Sequence, residues 1–247
     1  MTTNRRVFAG IRTSTLSFFR EPFNIALLLI LPALSIQIYG VSLGQFPEIG
    51  MFDAAGSLTA TGRITGAVFA TGALAGVLGL FQMISARNAD RRLVISGFRP
   101  SELVVSRFTT VLVVSLAISA ISTATLAWLL SGSLDAPLIV FGSLTLAGLT
   151  YGLLGMLVGT ILPRELEGSL LLVILADMDN VFASGLFDID EEITQFAPLS
   201  HPHELVSQAV FSGSLATDHL LPAAAFVVAF GVLSVGAYSY TLSGGGS

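Results

Sequence analysis

Between Arg87 and Arg107 the chain reads RNADRRLVISGFRPSELVVSR, and this stretch decides the fold. It holds five of the eleven basic residues, between two uncharged runs, Ile64 to Ala86 and Phe108 to Leu134. Each run is long enough to cross a hydrocarbon layer as a helix, about 20 residues at about 1.5 Å each. A basic segment held between two such runs reads as a cytoplasmic loop over 87–105, a place where a soluble partner can push on a membrane domain.

Composition agrees with that reading. Of 247 residues, 53% are hydrophobic and only 11% charged, whereas soluble domains carry about 25% charged residues. There is no Cys, so disulfides, thiolate metal sites and a cysteine nucleophile are all excluded. Every basic residue is Arg and acids outnumber them, a bias that fits a high-salt or high-GC source.

Six apolar runs are long enough to span, at about 23–41, 64–86, 106–131, 137–161, 168–187 and 220–241. Backbone polar groups cannot stay open in lipid, so each is expected to be helical. With the N-terminus inside, Arg5, Arg6, Arg12, Arg20, Arg87, Arg91, Arg92, Arg99, Arg107 and Arg164 fall on the cytoplasmic side and only Arg63 falls outside. That asymmetry is a positive-inside signal. The expectation is one all-α domain over 1–247, multi-pass in the plasma membrane, with both termini cytoplasmic.

Residues 2–21 are too polar to span. At 100° per residue Val7, Phe8, Ile11, Phe18 and Phe19 share one side and the arginines the other, so an amphipathic helix in the interface is expected. It serves equally as an elbow coupling a partner to the first span or as a passive anchor. Pro32 is expected to kink that span. The second span carries Gly66, Gly72, Gly76 and Gly79, a small-residue pattern for close helix contact either within the chain or with a second subunit. In the basic loop, Asp90 to Ser96 is expected to form a short helix stopped by Gly97, with Pro100 or Ser101 starting the third span and Glu102 complementing its dipole. Arg107 is expected to snorkel to the interface. Lipid-headgroup contact is an equally good use for this segment.

The fifth span carries Asp177 about 14 Å from its inner end and Asp179 about 3 Å further. A central Asp facing lipid costs about 2.5–3.5 kcal/mol, so both are expected to face protein or water. With Asn180 they are candidates for a pathway, unless the helix end there is merely solvated. Their side chains point about 160° apart, which excludes a paired acid–base dyad. Residues 188–218 are an external segment with an acidic start, Asp188, Asp190, Glu191 and Glu192, followed by a short helix begun near Pro198. His201, His203 and Glu204 lack a closing ligand at fixed spacing, so no metal is expected. Ser243 to Ser247 read as a flexible tail.

The run Asp90-Arg91-Arg92-Leu93-x-x-Ser96-Gly97-x-x-Pro100-Ser101-Glu102-Leu103-x-x-Ser106-Arg107 resembles the segment after the second span in permease subunits of type-2 ABC exporters. Asn180-Val181-Phe182-Ala183-Ser184-Gly185-Leu186-Phe187 resembles the end of that family's fifth span. Pro198-Leu199-Ser200-His201-Pro202 resembles its step into a short re-entrant or interfacial helix before the last span. The resemblance implies that Asp90, Arg91, Arg92, Gly97 and Arg99 form a coupling helix docking on a separate ATPase, and that Pro198, His201 and His203 belong to an external cap. It further implies two ATPase copies carrying ATP and Mg, and a second permease subunit, identical or homologous, with spans two and five facing the centre.

Three classes compete on the residues: the membrane subunit of an ATP-driven exporter, an ion-coupled carrier using Asp177 and Asp179, and a membrane-embedded enzyme. Against the carrier, no broken half-helices recur in corresponding halves. Against the enzyme, no H-E-x-x-H is present and no His and acid set converges within the spans. A P-loop needs Lys, and the chain has none, so ATP hydrolysis must come from a partner chain. Membrane lipid is an expected contact; nucleic acid is not, and the chain itself is expected to need no cofactor.

Overall fold

A computed structural model of the chain describes residues 11, 12, 16, 20, 22–45, 57–130, 134–184 and 194–243. Most of the interfacial helix expected over 2–21, the acidic residues 188–192 and the tail 244–247 lie outside the described residues. Seven helices are seen whole: α1 Pro22–Gly44, α2 Leu58–Ile95, α3 Pro100–Leu129, α4 Pro137–Ile161, α5 Glu165–Ala183, α6 Ser200–Ser212 and α7 Thr217–Ser243. No strand occurs among the described residues.

Five of these helices contain stretches long and apolar enough to cross a membrane: Ile25–Gly44, Leu58–Arg87, Ser101–Leu129, Pro137–Ile161 and Thr217–Thr241. The chain is therefore an all-α, multi-pass membrane protein. The fifth expected span, 168–187, overlaps helix α5, which does not meet the same measure, because Glu165, Glu167, Asp177 and Asp179 interrupt its 19 residues. Pro32 and Pro222 sit inside α1 and α7 without breaking them.

The second correction concerns the basic stretch. No separate short helix exists; α2 runs unbroken for 38 residues from Leu58 to Ile95, about 57 Å. The apolar run of the second span simply continues its helix into the basic segment, because nothing before Gly97 stops it. Gly97 does, with φ 92°. Its amide donates to Val94 O and that of Phe98 to Leu93 O, both at 3.0 Å, the paired bonds of a Schellman turn. Leu93, Val94 and Phe98 pack together beside it. Pro100 then opens α3, with Glu102 accepting the Arg99 amide at 3.1 Å.

α2 is the centre of the bundle, packed by α1, α3, α4, α5 and α6. Its small residues make that possible. Gly62 and Gly66 lie against the backbone of Tyr39, Ser35 and Ile36 on α1, while Gly76 and Gly79 meet Tyr151 and Gly152 on α4. The α2–α4 contact is reciprocal: a Cβ on Gly155 would fall inside the Gly76 carbonyl oxygen. The glycine pattern thus serves packing within the chain, and α2 offers no open face to a second subunit. The exposed apolar surface of α5, including Leu170, Leu171, Ile174, Leu175 and Met178, stays open.

Gly142, also on α4, has nothing within 4 Å of its would-be Cβ. Gly155→Ala is expected to lower stability by about 1–3 kcal/mol through overpacking, whereas Gly142→Ala leaves it unchanged or raises it by up to about 1 kcal/mol. Thermal unfolding of both variants in detergent checks this, and equal melting would contradict the α2–α4 contact.

Candidate functional site

Two groups of polar side chains stand out, one at the basic end of α2 and one near its opposite end. At the basic end Asp90 is fully buried. Arg107 Nη2 approaches its Oδ1 at 2.6 Å and Arg107 Nε donates to Oδ2 at 3.1 Å, a two-pronged ion pair between α2 and α3. Tyr238 Oη on α7 donates to the same Oδ2. Asp90 is therefore an internal tie among three helices and offers nothing to a docking partner. A side chain at this position on the helix faces α3 and α7, and burial there demands a counter-charge. Arg107, expected to reach the interface, is spent on that ion pair.

The remaining basic residues face outward. Arg91, Arg92, Ser96, Gly97 and Arg99 are exposed, with Ile95 86% exposed among them. Arg87 bends back, donating from Nη2 to Gly159 O at 2.9 Å and Thr160 O at 3.0 Å. It caps the carboxyl end of α4, where unpaired carbonyls and the helix dipole favour a cation. The result is a helix end with three outward arginines and one isoleucine, welded to α3, α4 and α7 from behind.

At the other end, Asp177 and Asp179 face different neighbours. Tyr39 Oη on α1 donates to Asp177 Oδ1, and Asp177 is half-buried. Asp179 is the more enclosed, 5% exposed, with Oδ2 accepting from Tyr151 Oη at 2.8 Å and from the Leu199 amide at 2.9 Å. Asn180 is fully buried and donates from Nδ2 to Thr65 O at 3.1 Å. Thr65 Oγ1 donates to Thr61 O at 2.9 Å, so its 3.2 Å contact with His203 Nε2 requires His203 to be the donor. Leu199 lies against Gly72 and is itself fully buried.

Of the residues expected in an external cap, His203 joins this polar core, and Pro198 is half-buried in the turn before α6. His201 Nε2 donates to Gln195 O at 3.2 Å, which leaves its Nδ1 to accept from His219 Nδ1 at 3.1 Å. Burial, then the neighbouring His219, lowers the His201 pKa. Burial alone pushes His203 down to about 4. Among the described residues no three His, Cys, Asp or Glu side chains gather as a metal site.

Sequence reasoning missed the partners of these acids. Three of the chain's four tyrosines, Tyr39, Tyr151 and Tyr238, each donate to an aspartate. The available signal was their rarity: a phenol within an apolar span needs a polar neighbour.

Two measurements follow. Asp90→Ala strands Arg107 in a buried position and is expected to cost about 3–5 kcal/mol, whereas Asp90→Leu with Arg107→Met recovers most of that loss; additive losses in chemical unfolding would show that the pair is not coupled. His203 is neutral in the fold but takes up a proton near pH 6.5 when unfolded. Its contribution is complete above about 6.5 and declines towards pH 4, by up to about 1.4 kcal/mol per pH unit. His203→Gln is expected to flatten the fall in melting temperature between pH 6.5 and 4.5, and an unchanged slope would count against this burial. In comparisons with known proteins, the chain matches no family model and no curated protein.

Proposed function

We propose that the chain is the transmembrane subunit of an ATP-binding-cassette exporter of the type-2 class, forming the translocation pathway and driven by a separate ATPase subunit. The observation that carries this reading is the outward basic tip at Arg91, Arg92, Ile95 and Arg99, closed by a Schellman turn and tied through Asp90–Arg107–Tyr238 to three helices. A mobile surface loop would absorb a push, whereas this end transfers it to the bundle. Without Lys the chain has no P-loop, so ATP and Mg sit on partner subunits, two per complex.

In this reading α5 also crosses the membrane, as the fifth of six spans. Its 19 residues reach about 28 Å, close to the hydrocarbon thickness, and Tyr39 and Tyr151 ease the burial of its two acids. The arginine bias then puts both termini and the tip in the cytoplasm of a plasma-membrane protein. Leu199 beside Gly72, about 21 Å along α2 from Leu58, supports a re-entrant approach to α6. A second permease subunit pairs through the open face of α5 rather than through α2. Asp177, Asp179 and Asn180 then lie next to that face and bear on which cargo passes.

Arg91→Glu with Arg92→Glu is expected to lower ATPase association or cargo-stimulated hydrolysis by about tenfold or more while the yield of folded permease stays constant. Normal export by the double variant with its ATPase bound would refute the coupling role. An ion-coupled carrier would instead move cargo in vesicles along an imposed ion gradient without any ATPase present.

A further inference from the structure

Around Asp179 the hydrogen bonds close into a circuit. The Leu199 amide donates to Asp179 Oδ2; Leu199 O accepts from the His203 amide at 2.9 Å; His203 Nε2 donates to Thr65 Oγ1; and Thr65 O accepts from Asn180 Nδ2, next in the chain to Asp179. The circuit links α5, α2 and the start of α6. Within it two oxygens remain with no hydrogen-bond partner although both are buried: Asp179 Oδ1 and Asn180 Oδ1. Thr61 Oγ1, one turn outward from Thr65 on the same face of α2, is likewise buried and without a partner.

These atoms all call for the same kind of occupant. A buried acceptor without a donor is unfavourable, and a buried carboxylate without a counter-charge more so. Among the described residues no arginine comes to Asp179: Arg63 on α2 is turned to Leu129 O at 2.7 Å, and Arg87 and Arg107 are engaged at the far end. Asp177 is held by Tyr39 on another side of α5, and the imidazole in the circuit, His203, is neutral with its proton directed at Thr65. An added water would supply donors but leave the charge in place. A divalent ion would leave one positive charge in surroundings of low dielectric.

We propose that Asp179 Oδ1 and Asn180 Oδ1 hold one hard monovalent cation of the Na+ type, which completes the junction of α5, α2 and α6. Oxygen-only ligation with a single carboxylate suits an alkali ion in charge and in donor type. Asn180 lies three residues before the end of α5 at Ala183, about 5 Å along the axis. Binding there fixes Leu199, and with it the start of α6, against α2.

The test needs no ATPase, so its outcome is separable from the transporter reading. The full chain in nanodiscs is unfolded thermally at pH 7.5 in NaCl or choline chloride of equal ionic strength, and binding of radioactive Na+ is counted. The expected result is a saturable rise of about 3 °C or more in Na+ and one ion per chain. Asp179→Asn removes both while melting in choline no lower than the wild type. Should that variant fail to fold, the stoichiometry on the wild-type chain still decides. Identical melting of the wild type in the two salts would overturn the proposal, leaving a buried water. So would a rise obtained in choline by acidification alone, which marks a proton, or a Na+ response retained by Asp179→Asn.

Discussion

A carboxylate among hydrocarbon chains is tolerable only if donors reach it, and that demand fixes how these helices meet. Asp177 draws α1 to α5 through Tyr39. Asp179 draws α4 and the Leu199 backbone to α5. Asp90 draws α3 and α7 to α2. Each hydroxyl–carboxylate contact sits at the end of a long aromatic arm, so helices of different depth can be joined without small residues between them. Apolar packing supplies the bulk of the contact, but it says little about register; a tyrosine aimed at one oxygen does.

Close packing does the complementary work. Along α2, Gly62 and Gly66 face α1 and Gly76 and Gly79 face α4, and both neighbours approach until backbone meets backbone. In lipid there is little hydrophobic drive between helices, so the gain comes from van der Waals contact at short range. The same helix therefore serves as the packing centre of the bundle while its last two turns carry the exposed arginines. The exposed arginines of the tip and the packing centre of the bundle share one element.

Much of this was legible in the residues. Apolar length found the long helices, and Gly97 and Pro100 marked where α2 stops and α3 starts. What failed was everything depending on distant partners. Asp90 lies among arginines in the sequence, so it read as part of a charged surface; only the fold brings Tyr238, 148 residues away, to it. The glycine stripe of α2 announced a close contact without naming α1 or α4 as the neighbour. Which of Asp177 and Asp179 is the more enclosed also could not be read, because depth along a helix axis does not say which side faces a turn such as Leu199. Periodicity reports the face of one helix; the identity of the opposing face is a property of the whole chain.

The unbroken length of α2 has a mechanical consequence. Thr61 and Thr65 lie near one end and Ile95 at the other, with no proline, bulge or left-handed residue between them. A rod of about 57 Å that tilts by about 5° about its midpoint moves each end by about 2.5 Å and Thr65, about 17 Å from the midpoint, by about 1.5 Å. The His203–Thr65 contact, 3.2 Å long, does not survive such a displacement unless α6 follows. A small angular change at the arginine-bearing end is thus converted, without any hinge, into a choice at the opposite end: either the α6 helix swings with α2 or the polar circuit opens.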